Sequence, residues 1–164
     1  MQAWPLASRW SSSPRKIPPE SDRFNDQTGA TVTASLSGLA DFLIFFVLAV
    51  ALVALYLAIY TLATAHNEFT LIRQNVISAA VALGFSLIGF ALPLASAIVH
   101  AQNVLDCLTW GLVALAVQIV AYWLVRVLMP NLSARIASGE MAAALFLGAA
   151  SLAAGIINAA AMTY

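Results

Sequence analysis

Two carboxamides, Gln118 and Asn158, lie deep inside long apolar stretches, with Ser86 and Ser96 as further polar positions in another stretch. A polar group without a hydrogen-bond partner is costly in hydrocarbon, so each amide is expected to have one. Such side chains either join neighbouring helices or line a path for a solute or an ion. We favour joining of helices and keep the path as the alternative.

A second group, Asp41, His100 and Asp106, falls at the ends of apolar stretches on one predicted face of the membrane. Two carboxylates and an imidazole could bind a cation or relay a proton, since histidine titrates near neutral pH. However, Asp41 and Asp106 each begin a predicted helix, where a carboxylate caps free amides and complements the helix dipole. Capping is therefore the favoured role of both aspartates.

Other chemistry has little support in the residues. His66 and His100 fall in loops predicted on opposite faces, and Cys107 is the only cysteine, so we expect no metal site. No nucleophile with a base and no phosphate-binding glycine loop occurs, which predicts a protein that is neither an enzyme nor a cofactor binder. Aromatic residues near the ends of the stretches are interpreted as an interfacial belt. They are Tyr56, Tyr60, Trp110, Tyr122, Trp123 and Tyr164.

The composition places these residues in a membrane. Of 164 residues, 62% are hydrophobic and 9% are charged, and seven Lys and Arg balance seven Asp and Glu. A soluble domain carries about 25% charged residues, and a nucleic-acid-binding protein has a basic face. Both classes are excluded, and the lipid bilayer becomes the expected surroundings.

Four stretches without a charged residue occupy 42–62, 76–99, 107–125 and 141–164. About 20 apolar residues cross the hydrocarbon as a helix. Arg126 can extend to the interface and thereby lengthen the third span. The sequence therefore predicts transmembrane helices at about 39–62, 76–99, 105–128 and 141–162.

Residues 1–35 differ from the rest, because they contain prolines, serines and seven charged residues, and we predict a disordered tail before a membrane domain at 36–164. Short loops predict an up-down-up-down four-helix bundle. Arg73, Arg126 and Arg135 lie at or near the first and third loops. By the positive-inside rule, these loops are predicted to be cytoplasmic and both termini to lie outside.

The chain also repeats itself. Shifted by 64 positions, Ala80 and Gly84 match Ala144 and Gly148, and shifted by 65, Asp41 matches Asp106. This indicates a two-helix unit repeated in tandem, with the halves related by an axis along the membrane normal.

Lipid does not drive helices together, so small residues that allow close backbone approach are expected at the helix contacts. The predicted packing positions are Gly84, Gly89, Pro93, Gly111, Gly148, Ser151 and Gly155. Pro93 should bend its helix and free a backbone carbonyl near Gly89, which a serine or a water molecule could satisfy. Because these positions exceed the needs of one bundle, we also predict a homo-oligomer.

Several motifs, in the order in which they occur along the chain, resemble those of the YjfL-like family of domain of unknown function 350. They are Leu71, Ile72, Arg73, Asn75, Ala79, Ala80, Pro93, Leu94, Ala95, Ser96, His100, Asp106, Trp110, Gly111, Gln118, Tyr122 and Arg126, with the ending at 158–164. The resemblance covers about 39–164 and implies a four-helix bacterial inner-membrane protein built from a duplicated hairpin. It brings no activity, and the long polar N-terminal segment departs from the family's usual short N-terminus.

We therefore expect a non-enzymatic inner-membrane component that docks to a second copy or to another membrane protein. The alternative is a small-solute or ion transporter or channel subunit that uses Gln118, Asn158 and the Asp and His residues at the outer face.

Overall fold

A computed structural model describes residues 20–64 and 68–162 of the chain, with side chains for 38–64 and 69–162. The described residues form six helices and no strand: α1 (Glu20–Ala63), α2 (Glu68–Arg73), α3 (Ile77–His100), α4 (Val104–Leu128), α5 (Leu132–Ala137) and α6 (Met141–Ala161). The chain divides into two units, Met1–Ala40 and Asp41–Tyr164.

In the first unit, the described backbone is helical from Glu20 onward. The disordered tail at 1–35 stays a prediction. The prolines of the sequence are compatible with this helix, because Pro19 immediately precedes it and the next proline is Pro93. Residues 1–19 of the predicted tail lie outside the described residues.

Four helices are long and apolar enough to cross a membrane, and their candidate spans are Gly38–Ala63, Ile77–His100, Val104–Leu128 and Met141–Ala161. The prediction of an all-helical protein with four spans is confirmed. Each of these helices is long and apolar enough to be a span, because its apolar part exceeds the roughly 20 residues that the hydrocarbon requires.

The second unit is held together mainly by α3 and α6, with α4 packed against both. Ser86 contacts Ser151, and farther along both helices Ser96 contacts Ala159. Because the residue numbers of the contacting pairs increase in the same direction along both helices, α3 and α6 run parallel. The up-down-up-down order across a membrane stays a prediction.

Matching elements recur 64 residues apart. Helices α2 and α5 have six residues each, and both are followed by a turn with a positive φ, 61° at Asn75 and 91° at Gly139. Helices α3 and α6 then begin at Ile77 and Met141. The spacing agrees with the tandem repeat, which itself stays a prediction.

Helix α1 packs through residues four positions apart. Leu52, Tyr56 and Tyr60 are buried, and the ring of Tyr56 stacks on Phe90 with the ring centroids 4.6 Å apart. Tyr60 makes an edge contact with Tyr122, whose ring is also buried. The interpretation of these three tyrosines as an interfacial belt is therefore wrong. The spacing by four, which places side chains on one helix face, was the signal for burial.

The turn between α5 and α6 is closed by an ion pair. The guanidinium of Arg135 donates two hydrogen bonds to the carboxylate of Glu140, from Nε to Oε2 at 2.7 Å and from Nη2 to Oε1. The hydrogen bond from Arg135 lowers the pKa of Glu140, and the same bond raises the pKa of Arg135. Nearby, the hydroxyl of Ser78 donates to the carbonyl of Ile136 at 2.6 Å, which joins α3 to α5.

Replacing Leu52 with alanine should weaken the attachment of α1, because Leu52 is 3% exposed and its side chain fills the space beside Gly111. We expect Leu52→Ala to lower the free energy of unfolding in mixed micelles by about 2 kcal/mol, mainly through the cavity that it leaves. Leu55→Ala, at a 42% exposed position of the same helix, is the matched control and should change it little. Equal losses would contradict this packing of α1.

The ion pair predicts a dependence of stability on pH. Because the pKa of Glu140 is lower in the folded protein than in the unfolded chain, its contribution to the free energy of unfolding is present above the unfolded-state pKa. That contribution disappears as the pH falls through the folded-state pKa. The free energy of unfolding should therefore differ more between the wild type and Glu140→Gln at pH 7 than at pH 3. A difference that does not vary with pH would argue against the pair.

Candidate functional site

The most polar part of the described spans is a three-residue cluster that we call the serine–glutamine node: Ser86 of α3, Gln118 of α4 and Ser151 of α6. Their exposed fractions are 0%, 1% and 2%. The helical period explains the cluster, because each serine or glutamine shares one face with small residues of its helix. The sequence singles out Ser86 and Gln118 as polar positions and Ser151 as a packing position, and the structure brings all three together.

Hydrogen bonds of the node join three helices. The hydroxyls of Ser86 and Ser151 lie 3.2 Å apart. Nε2 of Gln118 donates to the backbone carbonyl of Ser86 at 3.4 Å and to that of Ser151 at 3.2 Å. One amide group thus contacts both α3 and α6, as expected of a polar residue that fastens helices in a membrane.

The glycines beside the node let the backbones of α3 and α6 touch. A Cβ at Gly89 would lie 2.5 Å from the carbonyl oxygen of Ser151, and a Cβ at Gly155 would overlap the carbonyl oxygen of Gly89. Pro93 has no N–H to donate to that carbonyl, although α3 remains helical through it. The same oxygen lies against Gly155 of α6, a close approach of the kind at which weak Cα–H···O contacts occur between helices.

The other predicted packing positions differ among themselves. A Cβ at Gly148 would meet Cβ of Phe85 at 2.7 Å, and one at Gly111 would meet Cδ1 of Leu52 at 2.5 Å. At Gly84 nothing lies within 4 Å of that position. The packing role of Gly84 stays a prediction, whereas Phe85 lies opposite Gly148.

Two buried amide atoms have no hydrogen-bond partner within the described part of the chain: Oε1 of Gln118 and Nδ2 of Asn158. Near Asn158, the hydroxyl of Ser96 donates to the carbonyl of Ala159 at 3.1 Å, so Ser96 also links α3 to α6. The amide nitrogen of Gln118 thus has two acceptors, while its oxygen is an exception to the usual pairing of buried polar atoms within the described residues.

The predicted outer cluster does not assemble as a metal site. Within residues 20–64 and 68–162, no group of three His, Cys, Asp or Glu side chains is placed to hold a metal ion. Asp106 serves the start of α4: its carboxylate accepts from the N–H of Gln102 at 3.0 Å, while its own N–H donates to Oδ1 of Asn103 at 2.9 Å. Nδ1 of His100 lies 2.8 Å from the carbonyl of Ser96.

Asp41 lies inside α1, which begins at Glu20, so its interpretation as a helix cap is wrong. Its helix extends farther upstream than the apolar stretch from which the cap was inferred. His66 and Tyr164, two further residues considered from the sequence, lie outside the described residues.

Four apolar helices and a polar node buried among three of them define a multi-pass membrane protein. The chain belongs to the family called Domain of Unknown Function (DUF350), whose model matches residues 34–162. It is 41% identical over 129 residues to the UPF0719 inner membrane protein YjfL of Escherichia coli strain K12, covering 79% of this chain and 98% of that protein. The YjfL of Escherichia coli O157:H7 matches with the same figures. No solved structure matches the chain. The prediction of the family and of a multi-pass inner-membrane protein is confirmed.

Substituting alanine at two glycines tests the close approach of α3 and α6. Gly155→Ala places a methyl group onto the carbonyl of Gly89 and should lower the free energy of unfolding by about 3 kcal/mol or more. Gly84→Ala is the matched control, because its methyl group meets open space, and alanine favours a helix over glycine by up to about 1 kcal/mol. Unfolding in mixed micelles, followed by tryptophan fluorescence, measures both. Equal destabilisation would contradict the packing.

Proposed function

We propose that the protein is a non-enzymatic component of an inner-membrane complex that docks another membrane protein through α1. The observation that carries this proposal is the uncovered apolar surface of that helix. Of its most apolar 18 residues, 11% are buried, against 50% for α3. Exposed large side chains continue along it up to the first buried residue, Leu52. They are Phe42, Leu43, Ile44, Phe46, Val47 and Val50.

A shallow apolar groove of about 510 Å³ runs along this surface, lined by Leu43, Ile44, Val47, Leu48 and Ala51. Helices α3, α4 and α6 pack against one another, whereas α1 contacts them mainly through its later residues. A partner helix that lies against the groove would cover the large apolar side chains of α1 before Leu52, which the other described helices leave exposed.

The state of the polar node favours this role over transport. Ser86, Ser151 and the nitrogen of Gln118 are engaged in contacts between helices, and Gly89 lies against the backbone of Gly155. Side chains used in this way stabilise a bundle. A second candidate, a small-solute or ion path, is favoured by the unpartnered Oε1 of Gln118 and Nδ2 of Asn158.

A photo-crosslinking amino acid introduced at Val47 tests the docking surface in native membranes. We expect a discrete protein adduct at Val47, which is 64% exposed on α1, and only lipid adducts at Val120, which is 65% exposed on α4. In liposomes, the purified protein should give potassium and proton flux no greater than protein-free vesicles. Flux that Gln118→Leu or Asn158→Leu abolishes in a folded protein would replace docking with the second candidate.

We also propose that the loops after α1 and after α4 face the cytoplasm, because Arg73, Arg126 and Arg135 lie at this side. Single cysteines at the exposed positions Gln102 and Ser138 test this, with the buried Cys107 as background. An impermeant maleimide should label Gln102→Cys in intact cells and Ser138→Cys only after permeabilisation. The reverse pattern would invert the orientation.

A further inference from the structure

We propose that Arg126 is the core of a binding site for the phosphate group of a membrane phospholipid. Arg126 lies near the end of the spanning helix α4 and is exposed. Its Nη1 donates to the backbone carbonyl of Ala63 at 3.1 Å. Ala63 is the last residue of α1, where helix carbonyls are left without intrahelical partners and carry partial negative charge.

A second contact fixes the orientation of the guanidinium. Its central carbon lies 5.1 Å from the centroid of the Trp123 ring, within the range of a cation–π interaction. The carbonyl of Ala63 also accepts from the hydroxyl of Tyr122 at 3.3 Å, which holds this end of α1 against α4. The arginine is therefore positioned from two sides before any ligand binds.

Within the residues whose side chains are described, no carboxylate balances the charge of Arg126. Among the residues with described side chains, the only ion pair joins Arg135 to Glu140, and Arg126 has no carboxylate partner. A cation at the end of a membrane helix requires a counter-charge, and lipid phosphates lie at that depth. The guanidinium can donate two parallel hydrogen bonds to phosphate oxygens, which an ammonium cannot match.

The surface of α4 beside Arg126 suits the rest of a lipid. Val120, Trp123, Leu124 and Val127 are 65%, 50%, 61% and 76% exposed. Their spacing by three and four places them on one helix face. An acyl chain can lie along this face while the phosphate contacts Arg126, and Trp123 is the kind of residue that occupies the interface between the two.

Native mass spectrometry of the full chain, released from detergent micelles, tests the site. The added probe is phosphatidylglycerol, and diacylglycerol is the control that has acyl chains but no phosphate. We expect the wild type to retain phosphatidylglycerol in preference to diacylglycerol. Arg126→Gln should reduce the apparent affinity for phosphatidylglycerol about tenfold or more, because charge-assisted hydrogen bonds are lost. Arg135→Gln, which removes a charge already paired with Glu140, should leave it unchanged.

Two further arms separate the possible outcomes. Arg126→Lys keeps the charge and the fold but loses the paired donors, so an intermediate affinity is expected, whereas wild-type affinity would show a purely electrostatic contact and overturn the proposed geometry. Inorganic phosphate should not displace the lipid, and displacement at comparable concentrations would reassign the site to a soluble anion. Equal lipid retention by the wild type and Arg126→Gln would overturn the site altogether.

Discussion

The direct contact of two backbones, at Gly89 of α3 and Gly155 of α6, is the constraint on which the rest of the second unit depends. In water, apolar surface drives helices together, but lipid chains are as apolar as leucine and provide no such force. Close contact over a large area must replace it. Because glycine has no side chain, the two backbones approach closely at this crossing, and more atoms of the two helices come within van der Waals range.

The polar node follows from that contact. With α3 and α6 this close, the hydroxyls of Ser86 and Ser151 meet, and the carbonyls beside them are within reach of the amide of Gln118 on α4. Helix α1 packs through large side chains instead, with Leu52 beside Gly111 and Tyr56 stacked on Phe90. This difference explains why α1 retains so much exposed apolar surface and why we assign the docking role to it.

Much of this architecture could be predicted from the sequence, because the hydrocarbon fixes the length and polarity of any span. The observed spans begin and end within about one residue of the expected ones. The interior faces of α3, α4 and α6 also followed from helical spacing. What the sequence could not supply is which helices meet: Gly84 and Gly148 have similar surroundings along the chain, yet only Gly148 has a ring opposite it. The burial of Tyr56, Tyr60 and Tyr122 likewise depends on neighbours from other helices.

Pro93 has a consequence for the order in which the protein is assembled. Pro93 has no N–H to donate to the carbonyl of Gly89, and that oxygen lies against Gly155 on α6. During synthesis, α3 enters the bilayer well before α6 has left the ribosome. Until then the carbonyl oxygen of Gly89 lacks this contact, so α3 reaches its final packing only after α6 has been made.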